Sequence, residues 1–455
     1  MSVIHAGEAL LENGWARDVR VVLEGDRIAS MEANATPQSG DYRTGILLPA
    51  PANLHSHAFQ RAMAGLTERR GADPSDNFWT WRKAMYAFLD ALTPDDVEAI
   101  AAFVQMEMLE AGYATNVEFH YLHHGPDGRP YDNPGEMSQR IAAAAATTGV
   151  GLTLLPVLYQ QGGCDGRPLG AGQIRFGNDI SRFERLVESA GEALKSLPAD
   201  ARLGISAHSL RAVSREGLAA CIALLPSAPL HMHLAEQTGE VDEVLEFYGA
   251  RPAEWLLANA DVDARWCLIH CTQMTNQETR SLARTGAVAG LCPITEANLG
   301  DGIFNGTAWL EAGGRFGVGS DSNVRISLSE ELRQLEYSQR LRDRSRAALA
   351  TREKSAGRVL LEGAAKGGAQ AAGREAGAIA TGKLADLVAL DTTHITLEGR
   401  SGDMTLDSWV FAGDDSMVSD VWAAGRHQVR GGRHIARDAI TERYRQTIRR
   451  LGTRL

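Results

Sequence analysis

Short apolar, β-branched runs alternate along most of the chain with longer stretches rich in Ala, Leu, Glu and Arg. The runs predict strands over 45–54, 114–119, 151–158, 203–207, 230–234, 267–269, 287–291 and 316–319. Several are apolar nearly throughout, as in parallel strands buried on both faces. The stretches between them predict helices, among them 94–111, 180–196 and 239–248. Strand–helix alternation repeated eight times predicts a parallel (β/α)8 barrel of the α/β class.

The chain ends carry a different pattern. Val19-Arg20-Val21-Val22-Leu23 and Asp386-Leu387-Val388-Ala389-Leu390 are short apolar runs bordered by polar residues, with turn signals such as Glu12-Asn13-Gly14 nearby. Both ends read as antiparallel, and neither is long enough to form a good sheet alone. The expectation is one small β-sandwich built from residues 1–48 and 373–434, with a barrel over 49–372 inserted between them. Residues 435–455 predict a helix rich in Arg, expected to be a solvated or subunit-facing surface.

Composition narrows the functional classes. With 44% hydrophobic and 23% charged residues, the 455-residue chain is neither disordered nor fibrous. Its 57 acidic against 46 basic residues, net −11, offer no support for general nucleic-acid binding. Apolar runs fall far short of the roughly 20 residues that span a bilayer. Residues 1–18 hold Glu8, Glu12 and Asp18 and no basic segment, so they do not read as a signal peptide. Five cysteines, an odd and sparse set, fit a reducing cytoplasm better than a disulfide framework. Cys267 and Cys271 read as structural thiols.

Candidate chemistry collects at the predicted C-terminal ends of the strands, where barrels place catalytic groups. The first strand runs into Leu54-His55-Ser56-His57, whose two imidazoles share a face. The fifth runs into His231-Met232-His233-Leu234-Ala235-Glu236, the sixth into His270, and the eighth into Gly319-Ser320-Asp321. Any one of these is weak evidence; the set in strand order is strong. Imidazoles with a carboxylate suit a borderline divalent ion such as Zn2+, which lowers the pKa of bound water. Of five lysines (Lys83, Lys195, Lys354, Lys366, Lys383), none lies at a strand mouth. That favours one metal over a lysine-bridged pair and argues against Schiff-base chemistry. His120, His123 and His124, in a stretch leading to a Gly/Pro-rich loop, read as a polar loop face.

These motifs resemble the amidohydrolase superfamily across nearly the full length. Pro49-Ala50-Pro51-Ala52-Asn53-Leu54-His55-Ser56-His57 is similar to its first-strand motif, and Gly382-Lys383-Leu384-Ala385-Asp386-Leu387-Val388 to its return into the small β domain. His233-x-x-Glu236 resembles the mononuclear deaminase branch. Three stretches narrow this to the formimidoylglutamate deiminases of histidine degradation: His55 through Leu66, Asn77-Phe78-Trp79-Thr80-Trp81-Arg82, and Ala207-His208-Ser209-Leu210-Arg211. Pro293 through Gly302 adds a fourth.

The resemblance implies His55, His57, His233 and Asp321 as metal ligands, His270 as hydrogen-bonding the attacking hydroxide, and Glu236 as proton shuttle, with Asp321 also taking a proton. It implies Gln60, Arg82, Tyr121, His208 and Arg211 as substrate-holding residues, Arg82 and Tyr121 lying in loops. It also implies a homodimer. A small anionic substrate agrees with the residues, since Arg matches a carboxylate with its planar fork. Trp79 and Trp81 could wall the pocket or pack in the core or a lid. Two other readings stand beside this one: a deaminase of a purine or similar ring, which would want a mostly neutral aromatic pocket, and a non-catalytic scaffold, which would have no need of the metal set.

Overall fold

The computed structural model describes residues 2–68 and 78–452, and of residues 78–80, 83, 84 and 87 the backbone alone. Eight parallel strands follow one another in chain order around a barrel: Ala52–Ser56, Thr115–His120, Gly151–Leu158, Ile205–Ala207, Leu230–Leu234, Trp266–His270, Val288–Leu291 and Arg315–Val318. Nearly every residue in them is buried, as their apolar runs require. The ring comes together where Ser56 bridges Asp321 in parallel register. Gly319 permits that approach, since a Cβ there would lie 2.6 Å from the His55 nitrogen.

The predicted first strand, 45–54, is two strands in two different sheets. Tyr42–Pro49 belongs to the small sheet and Ala52–Ser56 to the barrel. Two prolines, Pro49 and Pro51, bracket the crossing at Ala50. Proline lacks a ladder donor, so a continuous strand cannot run through the pair. The apolar pattern is unbroken because both strands are buried.

The chain ends form one eight-stranded sheet, in the order Arg433–His434, Arg426–Arg430, Val418–Ala423, Leu387–Leu390, Tyr42–Pro49, Ser2–Leu11, Gly14–Glu24, Arg27–Glu32. Its two halves join where Leu387–Leu390 pairs antiparallel with Tyr42–Pro49. The antiparallel expectation holds for every pair but one: Ser2–Leu11 runs parallel to Tyr42–Pro49. An apolar cluster of its own, including Val21, Leu47, Leu387 and Trp422, lies apart from the barrel core.

The Arg-rich C-terminal helix, Arg437–Gly452, is solvated on one face, where Arg443, Arg445 and Arg449 are exposed, and packed on the other. It docks on the barrel helix Pro94–Glu110, which starts with a Thr93–Asp96 capping box and Pro94 at its first turn. Arg437 pairs with Glu110, Arg443 with Glu98 at 2.6 Å, and Arg450 with Asp96. Tyr444 stacks on Phe103 with ring centroids 4.0 Å apart. The charge run is complementary to acidic residues that lie more than 300 positions earlier, which composition alone does not reveal.

A buried ion network fastens the small sheet to the barrel. Arg374 contacts Asp386 at 3.1 Å and Asp200 at 3.0 Å, and Arg426 reaches Asp200 at 2.7 Å. Asp386 also accepts the Ala424 backbone N–H at 2.7 Å. Removing one member of such a set strands the rest without compensation, which costs about 3–5 kcal/mol. Arg374→Met is therefore expected to lower the melting temperature sharply in calorimetry. A variant melting with the wild type would show that the network contributes nothing.

Candidate active site

Strand ends supply the site. Nε2 of His55 lies 3.2 Å from Nε2 of His57 and 3.1 Å from Nε2 of His233. Asp321 brings Oδ1 to 3.2 Å from His57 Nε2 and 3.5 Å from His55 Nε2. The rear nitrogens of two rings are committed: His57 Nδ1 meets the Phe119 carbonyl at 3.1 Å and His233 Nδ1 the His208 carbonyl at 3.0 Å. Those carbonyls only accept, so Nδ1 of each ring carries the proton and Nε2 presents a lone pair. Burial, followed by the neighbouring imidazoles, holds His55 and His233 well below the usual histidine range. Burial also lowers His57, with Asp321 opposing. Neutral imidazole nitrogens converging on a carboxylate fit a divalent cation and have no reason to approach one another otherwise.

The seam between the first and eighth strands fixes this geometry. His57 N donates to the Asp321 carbonyl and Asp321 N to the His55 carbonyl, both at 2.9 Å. Below them Asn53 donates to Ser320 Oγ at 2.7 Å, Ser320 Oγ donates to Asn323 at 2.6 Å, and Asn323 donates to Ser56 Oγ at 3.1 Å. His270 (φ 71°), Asp321 (φ 47°) and Ala235 (φ 51°) sit in the left-handed region. Strain of this kind persists only where surroundings over-determine it. Here hydrogen bonds supply that: the Ala235 and Glu236 N–H groups reach the buried Glu240 carboxylate at 3.2 and 3.0 Å, and Thr272 Oγ1 donates to the Glu236 carbonyl at 2.6 Å.

Facing the imidazole cluster are Glu236 and His270. His270 Nε2 lies 3.8 Å from Glu236 Oε1 and 3.9 Å from Asp321 Oδ2. Burial pushes the Glu236 carboxyl up to about 7, Asp321 and Glu240 adding to it and His270 opposing. Burial by itself lowers His270, but the carboxylates of Glu236, Glu296 and Asp321 outweigh it and hold the ring well above its usual range. An acid poised near neutrality beside a charged imidazole is the arrangement general acid–base transfer needs.

A cavity opens over these groups. All eleven residues named from the sequence converge here: His55 lies beneath the floor, its Nε2 against the other two rings, and the remaining ten line the cavity. Gln60 donates Nε2 to Tyr121 Oη at 2.8 Å, while its buried Oε1 has no hydrogen-bond partner among the described residues. Arg82 donates to Tyr159 Oη at 2.7 Å. It sits on the helix Phe78–Leu89, not in a loop as expected; Tyr121 does lie in a loop, just past the second strand. Trp81 lines the cavity; the Trp79 side chain lies outside what is described.

The trio after strand two is not a polar loop face. His120, His123 and His124 are all buried, His123 Nε2 meeting the Val157 carbonyl at 3.0 Å and His124 Nε2 the Asn178 side chain at 3.0 Å. His123 thus ties the end of the second strand to the third, His124 ties it to the turn at Gly177 and Asn178, and His120 packs its ring against His123. Sequence reading missed Tyr159, Glu296, Glu240, Met85 and Leu299. Tyr159 directly follows the third strand, a position that could have flagged it. The others act from helices or adjoining loops, where periodicity carries no sign of the strand end they face.

Glu118, also unforeseen, braces the turn after His57 by accepting the Ala58 N–H at 2.7 Å. Burial raises its carboxyl from 4.5 to about 7. The unfolded chain releases that proton near the lower value and the folded one near the higher. Folding therefore takes up a proton between them, and stability is lost as pH rises through this window. Glu118→Gln should flatten the fall in melting temperature between pH 5 and 8, a difference of up to about 3 kcal/mol. Parallel curves for the two proteins would show that Glu118 contributes no such linkage.

Comparisons with known proteins agree with this geometry. Residues 46–427 match the model of the amidohydrolase family, and residues 1–45 that of the formimidoylglutamate deiminase HutF N-terminal domain. The chain is 47% identical to formimidoylglutamate deiminase of Pseudomonas aeruginosa over 451 residues, 98% of this chain and 99% of the relative. It superposes on a crystal structure of an amidohydrolase from Brucella melitensis with a TM-score of 0.96 and 49% identity, covering 99% of this chain and 100% of the other. An adenosine deaminase from Xanthomonas campestris with bound zinc shares the fold at a TM-score of 0.83 and 20% identity, with 99% and 98% of the chains covered.

Proposed function

The chain belongs to the amidohydrolase family, and on that premise we propose that its cavity hydrolyses the C=N bond of N-formimidoyl-L-glutamate, giving N-formyl-L-glutamate and ammonia in histidine degradation. It is a hydrolase of an amidine C=N bond, as its relative of 47% identity and its matching N-terminal domain indicate. The observation that carries the substrate is the pairing, in one cavity, of Arg82 and Arg211 with the Glu236–His270–Asp321 group. A dicarboxylate amidine needs both halves. A ring deaminase has no use for two arginines at the cavity, Arg211 buried and Arg82 half-buried, and a scaffold has none for a buried, neutral imidazole cluster.

His55, His57, His233 and Asp321 would hold one divalent ion, most simply Zn2+. When bound, it supplies a Lewis acid that makes water nucleophilic near neutral pH. The chain does the rest. Arg211 and Arg82 bind the carboxylates, and Tyr159 steadies the Arg82 guanidinium. Gln60, its amide N–H held by Tyr121, turns a bare Oε1 toward the cavity as acceptor for an amidine N–H. His208, kept neutral by burial and then by Arg211 and Arg82, hydrogen-bonds the substrate without repelling these cations. Asp321 takes a proton from the attacking water, and His270 Nε2 orients its oxygen. Glu236 Oε1 carries a proton to the leaving nitrogen, which departs as ammonia. Trp81 and Leu299 narrow the mouth.

We place the protein in the cytoplasm as a homodimer. All five cysteines are buried and free, which suits a reducing compartment. No helix among the described residues is long and apolar enough to cross a membrane. The homodimer follows from the family resemblance.

Ammonia release from N-formimidoyl-L-glutamate, set against adenosine and guanine, tests the substrate; preference for a purine would sink it. Elemental analysis should find one divalent ion per chain, and two per active chain would refute the single-ion site. Glu236→Gln should keep metal and fold yet lose about 10^2 to 10^4 in kcat; near-normal turnover would assign the proton transfer elsewhere. Arg211→Met should lower kcat/KM by about one to two decades, the worth of a charge-assisted hydrogen bond of roughly 1.5–3 kcal/mol. An unchanged value would remove Arg211 from the substrate.

A further inference from the structure

Within the reacting group Asp321 is tied to the strand seam and Glu236 is held by Glu240 and Thr272; His270 has neither support. Its backbone is left-handed and its ring must still face two carboxylates at once. Behind the ring stands Glu296, on the short helix Pro293–Leu299 that follows the seventh strand. Glu296 is buried, 5% exposed, and its Oε1 has two partners: His270 Nδ1 at 3.3 Å and the Cys292 backbone N–H at 2.8 Å. A carboxylate oxygen anchored by a backbone donor is a fixed stop for a ring nitrogen.

The same helix is held at both flanks. Thr295 Oγ1 donates to the Ser320 carbonyl at 3.2 Å and lies 3.0 Å from Ser322 Oγ, on either side of Asp321. The Ile294 N–H reaches the buried Glu331 carboxyl at 2.9 Å, and the Glu296 carbonyl accepts the Asp301 N–H at 2.9 Å. Consecutive residues of one turn thus touch His270 on the sixth strand end and the residues bracketing Asp321 on the eighth. This short helix after the seventh strand sets the spacing of two groups that must meet one water.

We propose that Glu296 is a positioning residue: by accepting the His270 Nδ1 proton from a backbone-anchored oxygen, it aims His270 Nε2 at the space shared by Glu236 and Asp321. This rests on the role given to His270 above. Glu296 does not line the cavity; its effect is carried by the ring it orients. Partners that orient an active-site imidazole in this way are typically worth about 10- to 100-fold.

The test compares Glu296→Leu and Glu296→Gln as metal-loaded full-length proteins. Gln retains an oxygen that can accept both N–H groups, whereas Leu does not. The expected result for Glu296→Leu is a loss of about 10- to 100-fold in kcat, with KM and metal content near those of wild type. Glu296→Gln should recover most of that loss. The hydrogen-bonded ring N–H proton of His270, seen by NMR on histidine-labelled protein, should persist in wild type and Glu296→Gln and vanish in Glu296→Leu. Wild-type kcat in Glu296→Leu overturns the proposal. So does a loss that merely follows lost metal or lost fold, or a Gln variant as impaired as the Leu one. Wild type that releases ammonia from a purine and not from N-formimidoyl-L-glutamate would instead refute the substrate, and the Glu296 comparison would then be read on the purine.

Discussion

Closure of the barrel at its first and eighth strands is the constraint on which the site depends. His57 N–H to the Asp321 carbonyl and Asp321 N–H to the His55 carbonyl join segments more than 260 residues apart. The Asn53–Ser320–Asn323–Ser56 chain locks the same seam from below. The part of the proposed ligand set at this seam, His55, His57 and Asp321, is therefore not a loop feature laid over a finished barrel. It is the last register of the barrel itself, and Gly319 is small because the strands must come this close. The left-handed Asp321 is the local cost of turning its carboxylate inward from that register.

Electrostatics follow from the burial that closure imposes. Excluding water drives the clustered imidazoles to their neutral form and raises Glu236 toward neutrality. A metal site and a proton shuttle both need those states. The opposing sign is concentrated a few ångströms away. On a chain of net charge −11, Arg82 and Arg211 make the cavity locally attractive to a dicarboxylate. Net charge thus describes the surface and misleads about the site.

The small sheet plays a supporting part. It supplies none of the proposed ligands and anchors the barrel through Arg374, Arg426, Asp200 and Asp386. The C-terminal helix does the same on another flank, matching its arginines to acids on Pro94–Glu110. Both are long-range ion pairings between segments that look unremarkable alone.

Eight strands, their order and the strand-end histidines could be read from the sequence because they are local: apolar runs report burial, i and i+2 residues share a face, and chain order gives barrel order. The HxH at 55–57, His233, His270 and Asp321 needed nothing more, and the resemblance extended the reading to Glu236, Gln60, Arg82, Tyr121, His208 and Arg211. Tertiary structure alone decided the rest. It split the run at 45–54 between two sheets, because burial looks the same in either. It buried His120, His123 and His124, whose polar neighbours suggested a surface. It put Glu296 behind His270 and Tyr159 beside Arg82, contacts made between elements that no spacing along the chain relates. Periodicity records which face of an element is covered; what covers it depends on how distant elements pack.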